Sequence, residues 1–248
     1  MNMRATSIKT NLLFVVGILL ALIVSCRSPS PVSAEKVLFQ EDFNTYGGLS
    51  TLPDGWWHEG SNAVRIENGH LRADANLDNN GEDYDASTIW LEKVFTGDIR
   101  VEFDAHILAS EEDKNNINFF FLFSDPSGEP VSESKNERAD GKYGKYHTLE
   151  GYVFTFLANG NPDKARFRFR DDPGFNLLQE NFAYECKQHK TYRITITKIA
   201  NRITYAVDGT VYLDMIDDVS NPEHVSGIIG FRTWHTDLWW DNLKITGL

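Results

Sequence analysis

KYHTLEGYVFTFLANGNPDKARFRFR, Lys145 to Arg170, decides how this chain is read. Two strand-like segments, 152–157 and 165–170, flank a turn rich in Gly, Asn and Pro. In the second segment Arg166, Arg168 and Arg170 alternate with Phe167 and Phe169. A strand sends successive side chains to opposite faces, so the arginines share one face and the phenyl rings the other. The rings supply a core. The arginines form a cationic strip in a protein of formal net charge −12, which points to an anion meeting that face. Arg suits planar carboxylates and sulfates because its donors form a rigid fork. Local pairing with Asp and Glu on a solvated sheet face is the competing explanation.

The same alternation recurs outward from this stretch. Short segments bounded by turn residues fall at 63–66, 70–73, 87–91, 99–107, 118–123, 191–199, 202–207, 210–214, 226–233 and 238–245. With the two above, they predict an all-β fold, either a two-sheet sandwich or a barrel. Asp208-Gly209, between two of the segments, is a hairpin turn signal. NFFFLF (118–123) and YVFTFL (152–157) are too apolar for strands with one wet face, so both read as central strands covered on both sides. Residues 125–145 are polar and read as a long loop leading into Tyr146-His147. A covered floor with polar ends predicts a groove across one sheet.

The N-terminus reads as a processing segment. Arg4 and Lys9 precede an apolar run, Leu12 to Val24, too short for a comfortable membrane span. It ends in Ile23-Val24-Ser25-Cys26, which resembles a bacterial lipobox with Cys26 as the lipidated residue. The expected organisation is a signal peptide over 1–25, a lipidated Ser/Pro tether over 26–36 and one all-β domain over 37–248. Arg27, not Asp, follows the cysteine, so the expected location is the outer membrane, lipid-anchored, on the periplasmic side. Without Arg4 and Lys9 the 24 basic residues become 22 against 36 acidic, a balance that excludes nonspecific binding to nucleic acid or anionic lipid. Once Cys26 is modified only Cys186 remains, so no intrachain disulfide is expected and the chain is expected to be a monomer held by its core.

A wider set of residues carries a family resemblance. Glu41-Asp42-Phe43, Asn118 to Asp125-Pro126, Tyr146-His147 with Tyr152, Arg166 to Arg168, Thr191-Tyr192-Arg193-Ile194, Val207-Asp208-Gly209, and Gly230-Phe231-Arg232-Thr233 to Asp241-Asn242-Leu243 occur in order. This pattern resembles the concanavalin-like jelly-roll proteins of bacterial polysaccharide-utilisation loci, and the resemblance implies an all-β, two-sheet antiparallel jelly-roll sandwich (concanavalin A-like). That group includes YesU-like members and ulvan-locus lipoproteins, some similar to carbohydrate lyases and to oligosaccharide dehydratases acting on uronic acids. The resemblance covers nearly the whole mature domain and implies an anionic oligosaccharide or polysaccharide substrate. It specifies the fold far more than the reaction.

Elimination from a uronate requires the carboxylate neutralised, a base for the C5 proton and an acid for the oxygen leaving C4. Arg166 or Arg168 with the Asn118 amide suits the first role, His147 the base, and Tyr152 or Tyr146 the acid. Tyr152 is also in phase with Phe154 and Phe156, where it would be a core aromatic. Asn118, Arg168, Arg232, Trp234 and His235 form the expected substrate-binding set. A hydrolase needs two carboxylates, and Glu102 and Asp104 lie two apart beside His106, with Arg100 as a ready ion-pair partner. A binding module would use Trp56-Trp57-His58 or Trp234, Trp239 and Trp240 as stacking platforms. No catalytic cofactor is expected. Glu41 and Asp241 are candidates for a structural calcium between the first and last strands.

Overall fold

The computed structural model describes residues 35–49, 51–61, 63–76, 86–158, 163–164, 166–219 and 223–248. The expected signal peptide and lipidation site, Cys26 included, lie outside these residues.

Two antiparallel sheets face each other. The first runs β13 (Thr210–Ile216), β12 (Arg202–Val207), β11 (Thr191–Ile199), β6 (Ile99–Ser110), β15 (Thr236–Gly247), β4 (His70–Asp74), β3 (Val64–Glu67). β15 also pairs through its second half with β1 (Lys36–Glu41). The second sheet runs β10 (Asn176–Asn181), β9 (Phe167–Asp172), β8 (Glu150–Phe156), β7 (Ile117–Ser124), β14 (Ser226–Trp234), β5 (Ala86–Thr96), β2 (Trp56–Gly60). Each of the twelve predicted segments overlaps one of these strands, and of the two all-β folds that the alternation allows, the sandwich is the one observed.

The core follows from the period-two pattern. β6 points Val101, Phe103, Ala105 and Ile107 between the sheets and Arg100, Glu102, Asp104 and His106 outward. From the second sheet Phe119, Phe154, Phe169 and Phe231 interdigitate with them; Phe154 and Phe169 stack at 4.5 Å, and Phe231 meets Phe103 edge-on at 5.0 Å. Cys186 is buried and free.

The second sheet is apolar on its outer face too. A register shift between Phe121 and Ser124, with Leu122 in the left-handed region, breaks the alternation. Leu122 therefore joins the inter-sheet core, while Phe123 joins Phe120 on the outside. There Trp90, Phe120, Phe123, Val153 and Ile228 pack under Val131, Tyr146 and Leu149 of the long loop. The segment read as a polar loop is thus a fitted roof containing short 3₁₀ turns at Val131–Arg138 and Tyr143–Lys145. One buried ion pair, Arg138 Nε to Glu59 Oε1 at 2.9 Å, pins it to β2. Gly60 and Gly141 meet beside it, both with positive φ. A Cβ on Gly60 would lie 2.1 Å from the Ala86 carbonyl oxygen, so no side chain fits there.

Candidate functional site

The roof covers part of the outer face and leaves the rest open. At its edge one register row crosses the second sheet: Thr88 faces Arg232, Arg232 faces Asn118, Asn118 faces Thr155, and Thr155 faces Arg168. All five are cross-strand neighbours on the face away from the core, so β5, β14, β7, β8 and β9 each contribute one polar side chain to a common floor. The next row towards the roof is apolar at its centre: Trp90, Gly230, Phe120 and Val153, ending in Arg170. A cavity of about 350 Å³ stands on the polar row, walled by Tyr143 of the roof and by Phe175 and Trp234.

Arg232 is 2% exposed. Its guanidinium donates to Thr88 Oγ1 at 2.6 Å and to the Gly141 carbonyl at 2.9 Å, and lies over the rings of Tyr143 and Tyr146 at 4.6 and 4.9 Å. Its Nε has no hydrogen-bond partner. Arg170 lies over the Phe175 ring at 4.2 Å. Among the described residues, Arg168, Arg170 and Arg232 form no ion pair with a carboxylate, and no Asp or Glu lines the cavity. Burying a cation without a counter-charge is costly. In a chain of net charge −12, one buried and two partly buried cations therefore surround a cavity with no counter-charge among the described residues. Asn118 adds a buried carbonyl oxygen without a partner, its amide nitrogen being held by Asn116 at 2.8 Å.

Among the described residues Tyr143 is the one phenol lining the cavity. Burial pushes its pKa up to about 12, with Arg232 and Arg170 pulling the other way. Its hydroxyl sits near Thr155 without a well-formed hydrogen bond.

Several expected residues fall elsewhere. Tyr152 points into the inter-sheet core and donates to the Asp217 carboxylate, because it differs from Thr155 by three positions and so takes the opposite face. Arg166 precedes β9, donates to the Ala158 carbonyl at 2.7 Å and lies 3.5 Å from Glu185; Arg168 occupies the row instead. Tyr146 is wholly buried in the roof against Trp90 and Phe120. His147 lies flat on Phe175 at 4.2 Å and edge-on to Tyr143 at 5.2 Å, behind the two rings that face the cavity. Burial, then Arg232 and Arg170, push its pKa down. Asn118, Arg168, Arg232 and Trp234 are brought together, whereas His235 turns to Glu111 at 2.7 Å. Glu102 and Asp104 are on the outer face of the first sheet, paired with Arg100 at 3.5 Å and Arg193 at 3.2 Å. Trp239 is also on that face, between His70 and His106, and Trp240 is core. Trp56 is core as well, and Trp57 packs on Trp90. Glu41 accepts from the Phe43 amide and the Tyr46 hydroxyl, at 2.8 and 2.9 Å, and does not meet Asp241. Among the described residues no group of three or more His, Cys, Asp or Glu is arranged to hold a metal ion.

Tyr143, Phe175 and Asn116 were not expected at the site. Phe175 is positioned by Asp172, which is fully buried and whose Oδ1 accepts from the Phe175 amide at 2.7 Å while Oδ2 has no partner. Burial raises its pKa to about 7. The folded-state pKa lies above the unfolded value, so the fold favours the protonated acid. The associated stability is present at low pH and is lost as pH rises towards and through 7. Asp172→Asn is therefore expected to be more stable than the parent by ~1–3 kcal/mol at pH 8 and not at pH 4, by urea denaturation. A parent whose stability is flat between those pH values would contradict this.

A two-sheet antiparallel sandwich carrying a polar cavity on one outer face is a galectin-like jelly roll. Solved structures of this class include a Bacillus subtilis protein of unknown function with a galectin-like fold (19% identity over 84% of this chain and 94% of that one, TM-score 0.69). The Emp47p carbohydrate recognition domain is similar at 12% identity over 84% and 95%, TM-score 0.58. A protein described with the endo-acting O-glycanases of the human gut microbiota is similar at 12% identity over 86% and 100%, TM-score 0.57. At these identities the likeness is one of fold. By sequence, residues 82–243 match the family described as "Domain of unknown function (DUF6250)", and the chain belongs to that family. Among curated proteins no sequence matches it.

Proposed function

We propose that this protein acts on acidic saccharides, taking a uronate- or sulfate-bearing oligosaccharide into the arginine cavity and, for uronates, breaking a C–O bond by β-elimination. The observation that carries the reading is the set of three arginines around one cavity that have no carboxylate partner among the described residues. The likeness in fold to a carbohydrate recognition domain, and the sequence resemblance to proteins of polysaccharide-utilisation loci, support a saccharide as the ligand.

In this reading Arg232 takes the carboxylate, helped by the second N–H of the Asn118 amide, whose first is held by Asn116, and the C5 proton becomes acidic. The Tyr143 oxygen is the proton carrier that the cavity offers in place of Tyr152 and Tyr146. It removes the C5 proton as a phenolate; the C5–H electron pair becomes the C4=C5 bond, the C4–O bond breaks, and the departing oxygen takes the proton from the phenol. That oxygen belongs to the next sugar in chain cleavage, or leaves as water in dehydration of a terminal sugar. A lipid anchor at Cys26 on the periplasmic side of the outer membrane fits a substrate of imported oligosaccharides.

Binding without turnover is the second reading, and a specific observation favours it: among the described lining residues there is no base that titrates near neutrality. One experiment separates the two. Uronate oligosaccharides incubated with the pure protein are expected to gain the ultraviolet absorbance of a conjugated unsaturated uronate. Retention of the oligosaccharide without that absorbance would leave binding alone, and neither retention nor absorbance would end the acidic-saccharide reading.

A further inference from the structure

The floor of the cavity is charged at both ends and neutral between them. Arg232, Asn118, Thr155 and Arg168 are consecutive partners in one row. Three inter-strand steps of ~4.8 Å separate the Cα atoms of the two arginines by ~14 Å. The Arg232 guanidinium does not lean across this gap, because its donors are fixed to Thr88 on β5 and to Gly141, on the side away from Arg168. Arg168 stands beside Arg170, and although Glu180 is its neighbour on β10, no ion pair joins them. One carboxylate is too small to occupy the guanidinium forks at both ends. Between them lie an amide and a hydroxyl, groups suited to sugar hydroxyls, with Tyr143 and Trp234 as ring-sized walls.

We infer that the cavity reads two anionic groups carried on different sugar residues of one oligosaccharide, one at Arg232 and one at Arg168. This rests on the acidic-saccharide reading above and narrows it to a doubly charged ligand longer than one ring. A single uronate satisfies half of the site.

The test uses three trisaccharides, with a uronate on the first ring, on the third, or on both, titrated calorimetrically into the Tyr143→Phe protein so that turnover does not consume them. The doubly charged trisaccharide is expected to bind at least tenfold more tightly than either singly charged one. Arg168→Gln is expected to reduce it to the singly charged level while leaving one singly charged isomer unchanged. Lys135→Gln, an equal loss of charge on the exposed roof, is expected to change none of the three. Arg168 is only partly buried at the cavity's edge, so its replacement does not threaten the fold as Arg232→Gln would. Equal affinity for singly and doubly charged ligands, or an equal loss for all three in Arg168→Gln, overturns the two-charge inference and leaves the acidic-saccharide reading standing. Failure of all three to bind overturns both.

Discussion

Tyr143→Phe is expected to lower the rate of elimination by ~10²–10⁴ while leaving affinity for the acidic saccharide within a few-fold of the parent. The ring supports the site without its hydroxyl: it lies under Arg232 at 4.6 Å, meets Phe175 edge-on at 4.8 Å and stacks near Phe120. Phe keeps those contacts. The lost hydroxyl is buried without a well-formed partner, so its removal costs the fold little. A pH profile gives an independent check. With the phenol pushed up to about 12, a phenolate base makes kcat/KM climb about tenfold per pH unit through the neutral and mildly alkaline range. A flat profile there would confine Tyr143 to the acid role. Tyr152→Phe serves as the contrast. It removes the donor to Asp217 in the core, so stability falls while the rate per folded molecule holds. An unchanged rate in Tyr143→Phe would remove this cavity as the site of elimination.

The strands were legible because alternation is a local property, and the interior of β6 and β9 could be listed from it directly. Three strands escaped. β2 begins Trp56-Trp57, with Trp56 buried in the inter-sheet core and Trp57 half-buried on the opposite face, so no alternation shows. β10 is an exposed edge with a mixed polar sequence, and β1 runs straight on from the Ser/Pro tether. The site was legible in composition and not in register. Alternation correctly put Arg168 and Arg170 on one face, but it cannot say which residue of β8 faces Arg168. That partner is Thr155, and its parity sends Tyr152 inward. The contribution of Tyr143 depends on how the roof docks, and docking is fixed by contacts distant in sequence.

The most consequential of those contacts is the Glu59–Arg138 pair, and Arg138→Ala is expected to destabilise the protein by ~3–5 kcal/mol in urea denaturation. Both side chains are almost fully buried, at 2–3% exposure. Arg138 also donates to the Val131 carbonyl at 2.7 Å and to Ser134 at 2.8 Å, so it ties the roof to itself as well as to β2. Once the guanidinium is gone, Glu59 keeps the Trp90 indole N–H, at 3.0 Å, but has no cation beside it. Burial already holds the Glu59 carboxyl above its ordinary pKa, with Arg138 as the strongest opposing influence. Removing Arg138 drives that carboxyl further towards the neutral acid. The penalty is then largest at neutral pH and shrinks as pH falls towards the unfolded glutamate's pKa, where both states are protonated. Replacing both partners with Leu is expected to recover most of the loss, since an apolar pair leaves no orphaned charge. The single variant also reaches the cavity, because Gly141 and Tyr143 follow Arg138 directly in the roof. Loosening that segment frees the Arg232 guanidinium from its carbonyl partner, so affinity for acidic saccharides is expected to fall with stability. A variant that lost several kcal/mol yet bound as well as the parent would show that the roof and the arginine row are energetically separate.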